Sequence, residues 1–213
     1  MTKFQSEKQI VRNLYGRLET VPIDQIDTVL QSAVADDYLW RGFHPFNEIR
    51  GGEAVATHFW TPLRAALTSM QRRMDIFFAG VNSLGSPEGV WVASMGHLMG
   101  LFDEAWLGIP PTGKMVMLRY CEFNRVADNK IIETAMYFDI PHLMIQAGLQ
   151  PFPPQTGEHM VQPGPMTHDG LLFEPQPSAE GDRTLAAINA MISDLGQWDL
   201  SLIHISEPTR PSV

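Results

Sequence analysis

The region from Lys114 to Phe138 constrains the fold most, because it holds two long strand patterns joined by a short turn. Side chains alternate between the two sides of a strand over Lys114 to Val126 and again over Lys130 to Phe138. The letters ADNK between these stretches are typical of a turn. Two further strand patterns precede them, at Asp75 to Asn82 and at Val90 to Leu101, separated by the turn sequence GSPEG. This spacing predicts an antiparallel meander of four strands.

Helical patterns stand on both sides of the meander. Ser6 to Leu18, Ile23 to Ala35 and Glu53 to Met70 are predicted helices before it, and Ile140 to Gly148 is a short predicted helix after it. Helices followed by a meander predict an α+β domain over residues 1–150. In this domain a curved antiparallel sheet would pack on the N-terminal helices and enclose a pocket on its concave face.

The chain after residue 150 divides into three parts. Residues 151–181 are rich in Pro, Gly, Gln and His without a sustained period, which predicts an arm or linker. Residues 182–199 return to helical spacing and are predicted to be the first helix of a truncated second copy of the domain. The stretch LSLIHISEPTR, Leu200 to Arg210, resembles the in-frame translation of a transposase-based sequencing adapter. We therefore expect residues 200–213 to be an artefactual tail of a gene fragment, with a natural tail as the alternative.

Composition argues against several classes of function. The formal net charge of -9 disfavours a phosphate-binding surface, so no nucleic-acid partner is expected. The sequence holds no apolar run long enough to span a bilayer and no apolar signal core, so we expect a cytoplasmic protein without a membrane partner. Its single cysteine, Cys121, suits that compartment. Phosphate loops, dinucleotide fingerprints and metal-ligand spacings are missing from the sequence, so neither a cofactor nor a metal is expected.

Four polar residues of the meander could face one concavity. Tyr120 and Glu122 share a side of the third predicted strand, His97 lies in the second, and Asp139 ends the fourth. Asp139 also stands immediately before a predicted helix, where a carboxylate can cap the exposed amides instead. The sequence therefore predicts a pocket lined by these four side chains and leaves the capping role of Asp139 open.

Several motifs support a family resemblance. GIPPTGK precedes the third predicted strand, RVADNKI forms the next turn and YFDIPHLMIQAGLQP follows the fourth strand. MGHLMG, DDYLWRGFHP and IRGGEAVATHFW fit the same pattern, so that the similarity spans residues 6–155. Together they resemble the SnoaL-like polyketide cyclases, which belong to the nuclear-transport-factor-2-like superfamily of cone-shaped α+β folds. The resemblance implies a small apolar carbonyl-bearing ligand and a homodimer that pairs through the open sheet face.

The resemblance also implies a chemistry. The family's acid/base aspartate falls on Asp139, which would remove a proton from a carbon between carbonyls without a cofactor. The enolate would then attack a second carbonyl in an aldol cyclisation, and related isomerase or lyase reactions use the same steps. Two polar positions of the family, a glutamine and a histidine, fall on Tyr120 and Glu122 here, and an early-loop asparagine falls near Trp40.

Further residues are expected around this site. We predict His97, Tyr120 and Glu122 as catalytic partners of Asp139. The expected substrate-binding residues are Trp40, His44, Trp60, Met95 and Tyr137. Two other functions remain open: water activation by Glu122 and Asp139 for epoxide opening or dehydration, and a non-catalytic module for ligand binding or dimerisation.

Overall fold

A curved sheet of six strands packs against the N-terminal helices in the computed structural model, which describes residues 3–82, 89–154 and 164–196. The chain divides into two units, residues 1–175 and 176–213. The helices before and after the strands are α1 (Gln5–Thr20), α2 (Ile26–Ala33), α3 (Gly52–Val55), α4 (Thr61–Ala66) and α5 (Ile140–Gln146). A 3-10 turn, Ile23–Gln25, leads into α2, and a π-helical turn, Ala56–Trp60, joins α3 to α4.

The strands confirm the predicted α+β class and add an edge that the sequence pattern missed. They are β1 (Val34–Arg41), β2 (Glu48–Arg50), β3 (Leu67–Gly80), β4 (Val90–Phe102), β5 (Met115–Ala127) and β6 (Lys130–Phe138). The sheet order is β2-β1-β6-β5-β4-β3, with β3 to β6 forming the predicted antiparallel meander. β1 runs parallel to β6 and carries β2 as the outermost strand on that side.

The third predicted helix is shorter than its pattern indicated. It was expected to reach Met70, but α4 ends at Ala66 and Leu67 begins β3. Leu67 pairs with Phe102 across the sheet, and both side chains are buried in the core. Long-range strand pairing therefore overrides the local helical pattern at this position.

The two faces of the sheet have different surroundings. We call the face packed on the helices the inner face, and it carries the fully buried Leu98, Leu118 and Met136. Val11 and Leu18 of α1 belong to the same core cluster. The opposite face, the outer face, carries alternate residues of the same strands and is covered less completely.

Residues 170–173 extend the sheet at its other edge. The Phe77 amide of β3 donates to the Gly170 carbonyl, and the Leu172 amide donates to the Phe77 carbonyl, both at 2.8 Å. The buried Lys8 ammonium of α1 donates to the Leu172 carbonyl at 2.6 Å. The Phe173 ring packs 5.3 Å from the Phe77 ring. Part of the predicted arm thus covers the free edge of β3, and we call residues 170–173 the edge segment.

The second unit contains a helix, α6 (Ser178–Gly196), whose side chains are all exposed. Its apolar residues include Leu185, Ile188, Ile192 and Leu195. That this helix begins a second domain stays a prediction, and residues 197–213, which include the adapter-like stretch, lie outside the described residues. Of the helices in the described ranges, none has the length and apolar character needed to cross a membrane.

Candidate active site

Strand pairing divides the predicted site residues between the two faces of the sheet. Directly opposed residues of antiparallel strands project to the same face. Glu122 lies opposite Ser94 on β4 and opposite Met136 on β6, and all three are buried on the inner face. His97 instead lies opposite Arg119, and both positions are out of phase with Glu122. The prediction of one pocket for four side chains is therefore wrong, because alternation within a strand does not fix the register between strands.

A buried ion pair occupies the centre of the inner face. The Arg72 Nη1 atom of β3 lies 2.7 Å from Glu122 Oε2, and both side chains are nearly inaccessible to solvent. The Arg72 guanidinium also stacks 3.7 Å from the centre of the Tyr15 ring and 4.4 Å from that of Tyr120. Burial alone would lower the pKa of Arg72, but the adjacent Glu122 carboxylate raises that pKa above its ordinary value. Arg72 is thus a fixed charge of the interior.

Hydrogen bonds extend from this pair toward β6 and β1. Asn124 Nδ2 donates to Glu122 Oε1 at 3.1 Å and to the Tyr15 hydroxyl at 3.0 Å. Thr134 donates to Asn124 Oδ1 at 2.7 Å, and the Tyr38 hydroxyl donates to Thr134 at 2.8 Å. Each carboxylate oxygen of Glu122 therefore already accepts a hydrogen bond from a buried side chain. Such a satisfied network holds the sheet and α1 together, and it leaves Glu122 poorly placed to accept a substrate proton.

Three predicted site residues belong to this interior. The Tyr120 hydroxyl lies 2.8 Å from Ser94 Oγ, and burial raises the pKa of Tyr120. Trp60 stands near Arg72, with 5.9 Å between the guanidinium and the indole. Trp40 packs 4.9 Å from Phe59 in the aromatic core. Trp40 and Trp60 are only 1% and 3% exposed, so the structure gives both tryptophans a packing role.

A cleft of about 420 Å³ on the outer face is lined by three more of the predicted residues, Met95, Tyr137 and Asp139. Phe43, Met95, Tyr137 and Pro141 supply apolar walls, and the Phe43 and Tyr137 rings lie 4.6 Å apart. The cleft also reaches Arg119, Cys121 and Asp139, and it borders the buried Tyr120 and Phe138. His44 is exposed in the loop after β1 and is not among the lining residues. Met95 and Tyr137 line this cleft, and their roles in substrate binding stay predictions.

Asp139 is a helix cap that also faces this cleft. Its carboxylate oxygen Oδ1 accepts a hydrogen bond of 3.0 Å from the His142 amide in the first turn of α5. Its own amide donates to the Arg119 carbonyl at 3.0 Å, which continues the β5–β6 pairing by one residue. Gln146 fixes the other end of α5 by exchanging two hydrogen bonds with the backbone of Met117. The capping interpretation of the sequence is confirmed, and Asp139 is also a half-buried lining residue of the cleft.

Charged groups lie beside this cleft on the outer face. His97 Nδ1 lies 3.4 Å from Asp75 Oδ2, and Arg73 Nε lies 3.7 Å from Asp75 Oδ1. Burial lowers the pKa of His97, and the charges of Arg119 and Arg73 lower it further, against the opposing effect of Asp75. His97 is therefore mainly neutral at pH 7 and lies beside the Arg73–Asp75 ion pair rather than in the Glu122 network.

A second cavity of about 450 Å³ adjoins the Asp139 cleft and shares Tyr137 with it. Its walls include Phe78, Trp91 and Phe123, two of which are exposed aromatics at 44% and 37%. Arg119, Cys121 and Asp139, which line the cleft, are absent from the lining of this second cavity. This part of the outer face is an apolar surface.

Comparison with known proteins identifies the fold independently. The model of the SnoaL-like polyketide cyclase family matches residues 24–147, more than half of the chain. The chain belongs to the SnoaL-like polyketide cyclase family. Among curated proteins, none matches this sequence.

Solved structures of SnoaL-like proteins share the fold at low sequence identity. IdmH of Streptomyces antibioticus, a candidate polyketide cyclase, is 18% identical with a TM-score of 0.52, over 66% of this chain and 97% of its own. A SnoaL-like candidate cyclase from Jannaschia sp. CCS1 is 19% identical with a TM-score of 0.52, and the match covers 71% of this chain and 96% of that protein. AclR of Streptomyces galilaeus, a candidate hydroxylase, is 17% identical with a TM-score of 0.51, and the match covers 71% of this chain and 91% of AclR. Identities this low support the fold alone.

Two residues of the buried polar network of this SnoaL-like chain, Arg72 and Asn124, were not predicted from the sequence. Arg72 lies in the polar run QRRMD, which fits neither the helical period before it nor the strand period after it. The register of β3 shifts on both sides of Arg72, so its inward direction depends on irregularities that no pattern reveals. Asn124 could have been found, because alternation puts it on the same side as Tyr120 and Glu122.

The described part of this SnoaL-like domain contains no cluster of side chains suited to a metal site. In residues 3–82, 89–154 and 164–196, there is no group of three or more His, Cys, Asp or Glu side chains that could hold a metal ion.

Proposed function

We propose that the chain is a small-molecule enzyme that uses Asp139 as a general acid/base in an aldol cyclisation or a related isomerase or lyase reaction. The observation that carries this proposal is the position of Asp139, a half-buried residue that lines a largely apolar cleft of about 420 Å³. Among the described residues, its hydrogen-bond donor is the His142 amide, which binds Oδ1 and leaves Oδ2 for a substrate. A carboxylate so placed can accept a proton from a bound apolar ligand.

The proposed substrate is apolar and bears at least two carbonyl groups. Asp139 removes a proton from a carbon next to a carbonyl, and the electrons of the C–H bond move onto the carbonyl oxygen. The enolate carbon then attacks a second carbonyl of the same molecule, and the resulting alkoxide takes the proton back from Asp139. The steps balance without a cofactor, and the aromatic walls Phe43 and Tyr137 suit a flat, apolar substrate.

Water activation by two carboxylates is the weaker alternative. It requires Glu122 and Asp139 to act on one substrate, but Glu122 is engaged on the inner face by Arg72 and Asn124. The non-catalytic alternative treats Asp139 only as the cap of α5. The capping bond by itself agrees with both roles, so the choice between them needs an activity measurement.

We also propose that the protein forms a homodimer through the apolar end of the outer face. Phe78 and Phe123 remain exposed there, beside Trp91. An exposed aromatic surface of this kind is typical of a protein contact, and a second copy can cover it while the Asp139 cleft stays open alongside. A cytoplasmic location stays part of the proposal.

The test of the catalytic role compares Asp139→Asn with Asp139→Ala. Apolar β-ketoesters that carry a further ketone in the same molecule serve as substrates, and cyclised product is measured by mass and absorbance. Asn keeps the cap but removes basicity, so turnover should fall by about 10²-fold or more with little loss of stability. Ala should lose the activity and also about 1 kcal/mol of unfolding free energy.

Asp128→Asn is the matched control, because Asp128 lies in the β5–β6 turn away from the cleft. It should retain full turnover. Full turnover by Asp139→Asn on the same substrates would contradict the proposed function and leave the capping role as the explanation of Asp139.

A further inference from the structure

We propose that Arg119 binds the enolate oxygen of the substrate, which restricts the site to ligands that present a carbonyl oxygen next to the carbon attacked by Asp139. The inference rests on the proposed function of Asp139 and adds a second group that touches the substrate. Arg119 would supply the positive charge that stabilises an enolate. The inference follows from the position of Arg119 on β5.

Arg119 and Asp139 are cross-strand neighbours. Tyr120 is paired with Phe138 on β6, and the hydrogen bond from the Asp139 amide to the Arg119 carbonyl extends the same register by one residue. Opposed residues have Cβ atoms about 5 Å apart and project to the same face. Both residues line the 420 Å³ cleft on the outer face, together with Met95 and Tyr137.

The Arg119 guanidinium is available to a ligand in this cleft. None of the ion pairs formed by the described residues includes Arg119, although the Asp139 carboxylate follows directly after the neighbouring strand. The Asp139 carboxylate instead turns toward the His142 amide. The side chain of Arg119 is half-buried, so water screens its charge only in part. His97 lies opposite Arg119 on β4, and its Nδ1 atom lies 3.4 Å from Asp75 Oδ2.

A guanidinium outside any ion pair, in the same cleft as a carboxylate base, has a definite chemical use. When Asp139 takes a proton from carbon, negative charge develops on the adjacent carbonyl oxygen. A cationic donor held at that oxygen stabilises the transition state, and loss of one such donor typically costs about 10²–10³ in turnover. The charges also balance through the step, since the carboxylate loses its charge as the oxygen beside Arg119 gains one.

The apolar walls narrow the ligand class further. Phe43, Met95, Tyr137 and Pro141 offer no charge to the remainder of the ligand. The site should therefore bind a flat, apolar molecule with one enolisable β-dicarbonyl unit, and should bind it most tightly as an enolate when Asp139 is uncharged.

The experiment uses 4-hydroxycoumarin, a flat cyclic β-dicarbonyl that is an enolate anion at neutral pH, and coumarin as its uncharged counterpart. Dissociation constants are measured by calorimetry at pH 7 on the full chain. Asp139→Asn imitates the protonated base and should bind 4-hydroxycoumarin about tenfold or more tightly than the parent protein. Adding Arg119→Gln should weaken that binding by about 10- to 100-fold, the usual worth of a charge-assisted hydrogen bond, and Arg119→Lys should recover part of it. Coumarin should show no dependence on Arg119.

Arg73→Gln is the matched control, because Arg73 is also an outer-face arginine near His97 but pairs with Asp75. It should leave the binding of both probes unchanged. Equal losses from Arg73→Gln and Arg119→Gln would show a general effect of charge and would overturn the proposal. Failure of 4-hydroxycoumarin to bind any of the proteins would overturn it as well.

The outcomes separate this inference from the proposed function. If Asp139→Asn loses turnover while Arg119→Gln keeps both turnover and enolate binding, Asp139 is the base and the role of Arg119 is refuted. If Asp139→Asn keeps full turnover while Arg119→Gln loses enolate binding, the acid/base role fails and Arg119 is an anion-binding group of the cleft.

Discussion

Arg72 and Glu122 place opposite charges at the centre of the domain, with side-chain exposures of 2% and 3%. Removing one partner of such a pair leaves the other charge buried without compensation. Glu122→Gln should therefore lower the unfolding free energy by about 3–5 kcal/mol in urea denaturation. Replacing both residues, with Arg72→Met and Glu122→Leu, should recover much of the loss.

The control for this prediction is Arg41→Gln, which breaks a partly exposed ion pair with Glu133. Its cost should stay below about 1 kcal/mol, as is usual for such pairs. A cost of Glu122→Gln as small as that of Arg41→Gln would mean that the buried pair does not stabilise the fold in the way described.

At the same scale, the sequence predicted the direction of single residues well within each strand and poorly between strands. Alternation correctly grouped Tyr120 and Glu122 on one side of β5. It could not predict that His97 faces the other way, because the relative phase of β4 and β5 depends on the pairing of whole strands. The place of Asp139 at the start of a helix was evident from the Ile-Pro step after it. That Arg119 lies opposite Asp139 follows only from the register of β5 against β6.

The edge segment, residues 170–173, is the element whose contribution is easiest to test. Phe173 packs on Phe77 and lies under Arg12, with 4.4 Å from the guanidinium to the ring centre. Phe173→Ser should lower the unfolding free energy by about 1–2 kcal/mol, because the side chain is only partly buried. It should also speed hydrogen exchange of the Phe77 amide, which donates to Gly170.

Met166→Ser is the control for the edge segment, since Met166 is 90% exposed. It should change neither stability nor exchange. Unchanged protection of the Phe77 amide in Phe173→Ser would show that the backbone pairing holds without the ring contacts.

Elements with strong local patterns were predicted closely, and those made by tertiary pairing were missed. The strand from Lys130 to Phe138 was predicted with the bounds of β6. β1 was missed because Asp36 and Asp37 interrupt its alternation and its pairing with β6 shifts between Val34 and Leu39. A three-residue strand such as β2 depends on its neighbour for its existence.

For the whole molecule, the proposed dimer is the property with the widest consequences. Phe123→Asp puts a charge on the apolar end of the outer face, so it should convert a dimer to a monomer in sedimentation at micromolar concentration. Ile23→Asp is the control, because Ile23 has a similar exposure, 40%, and lies before α2 rather than on the sheet. Equal dissociation by both variants, or a monomeric parent protein, would contradict an interface on this face.

The order of helices and strands was enough to predict the class of the whole domain, because helices followed by a meander have few ways to bury their apolar faces. The edge segment makes the folded domain longer than the stretch of sequence that the family model matches. The family model ends at residue 147, whereas the edge segment closes β3 more than twenty residues later. The stretch of sequence that the family model describes is therefore shorter than the structural unit in which this sheet edge is covered. A chain cut at residue 147 would leave the amide and the carbonyl of Phe77 unpaired at the edge, so the residues after the family match complete a surface that the matched part leaves open.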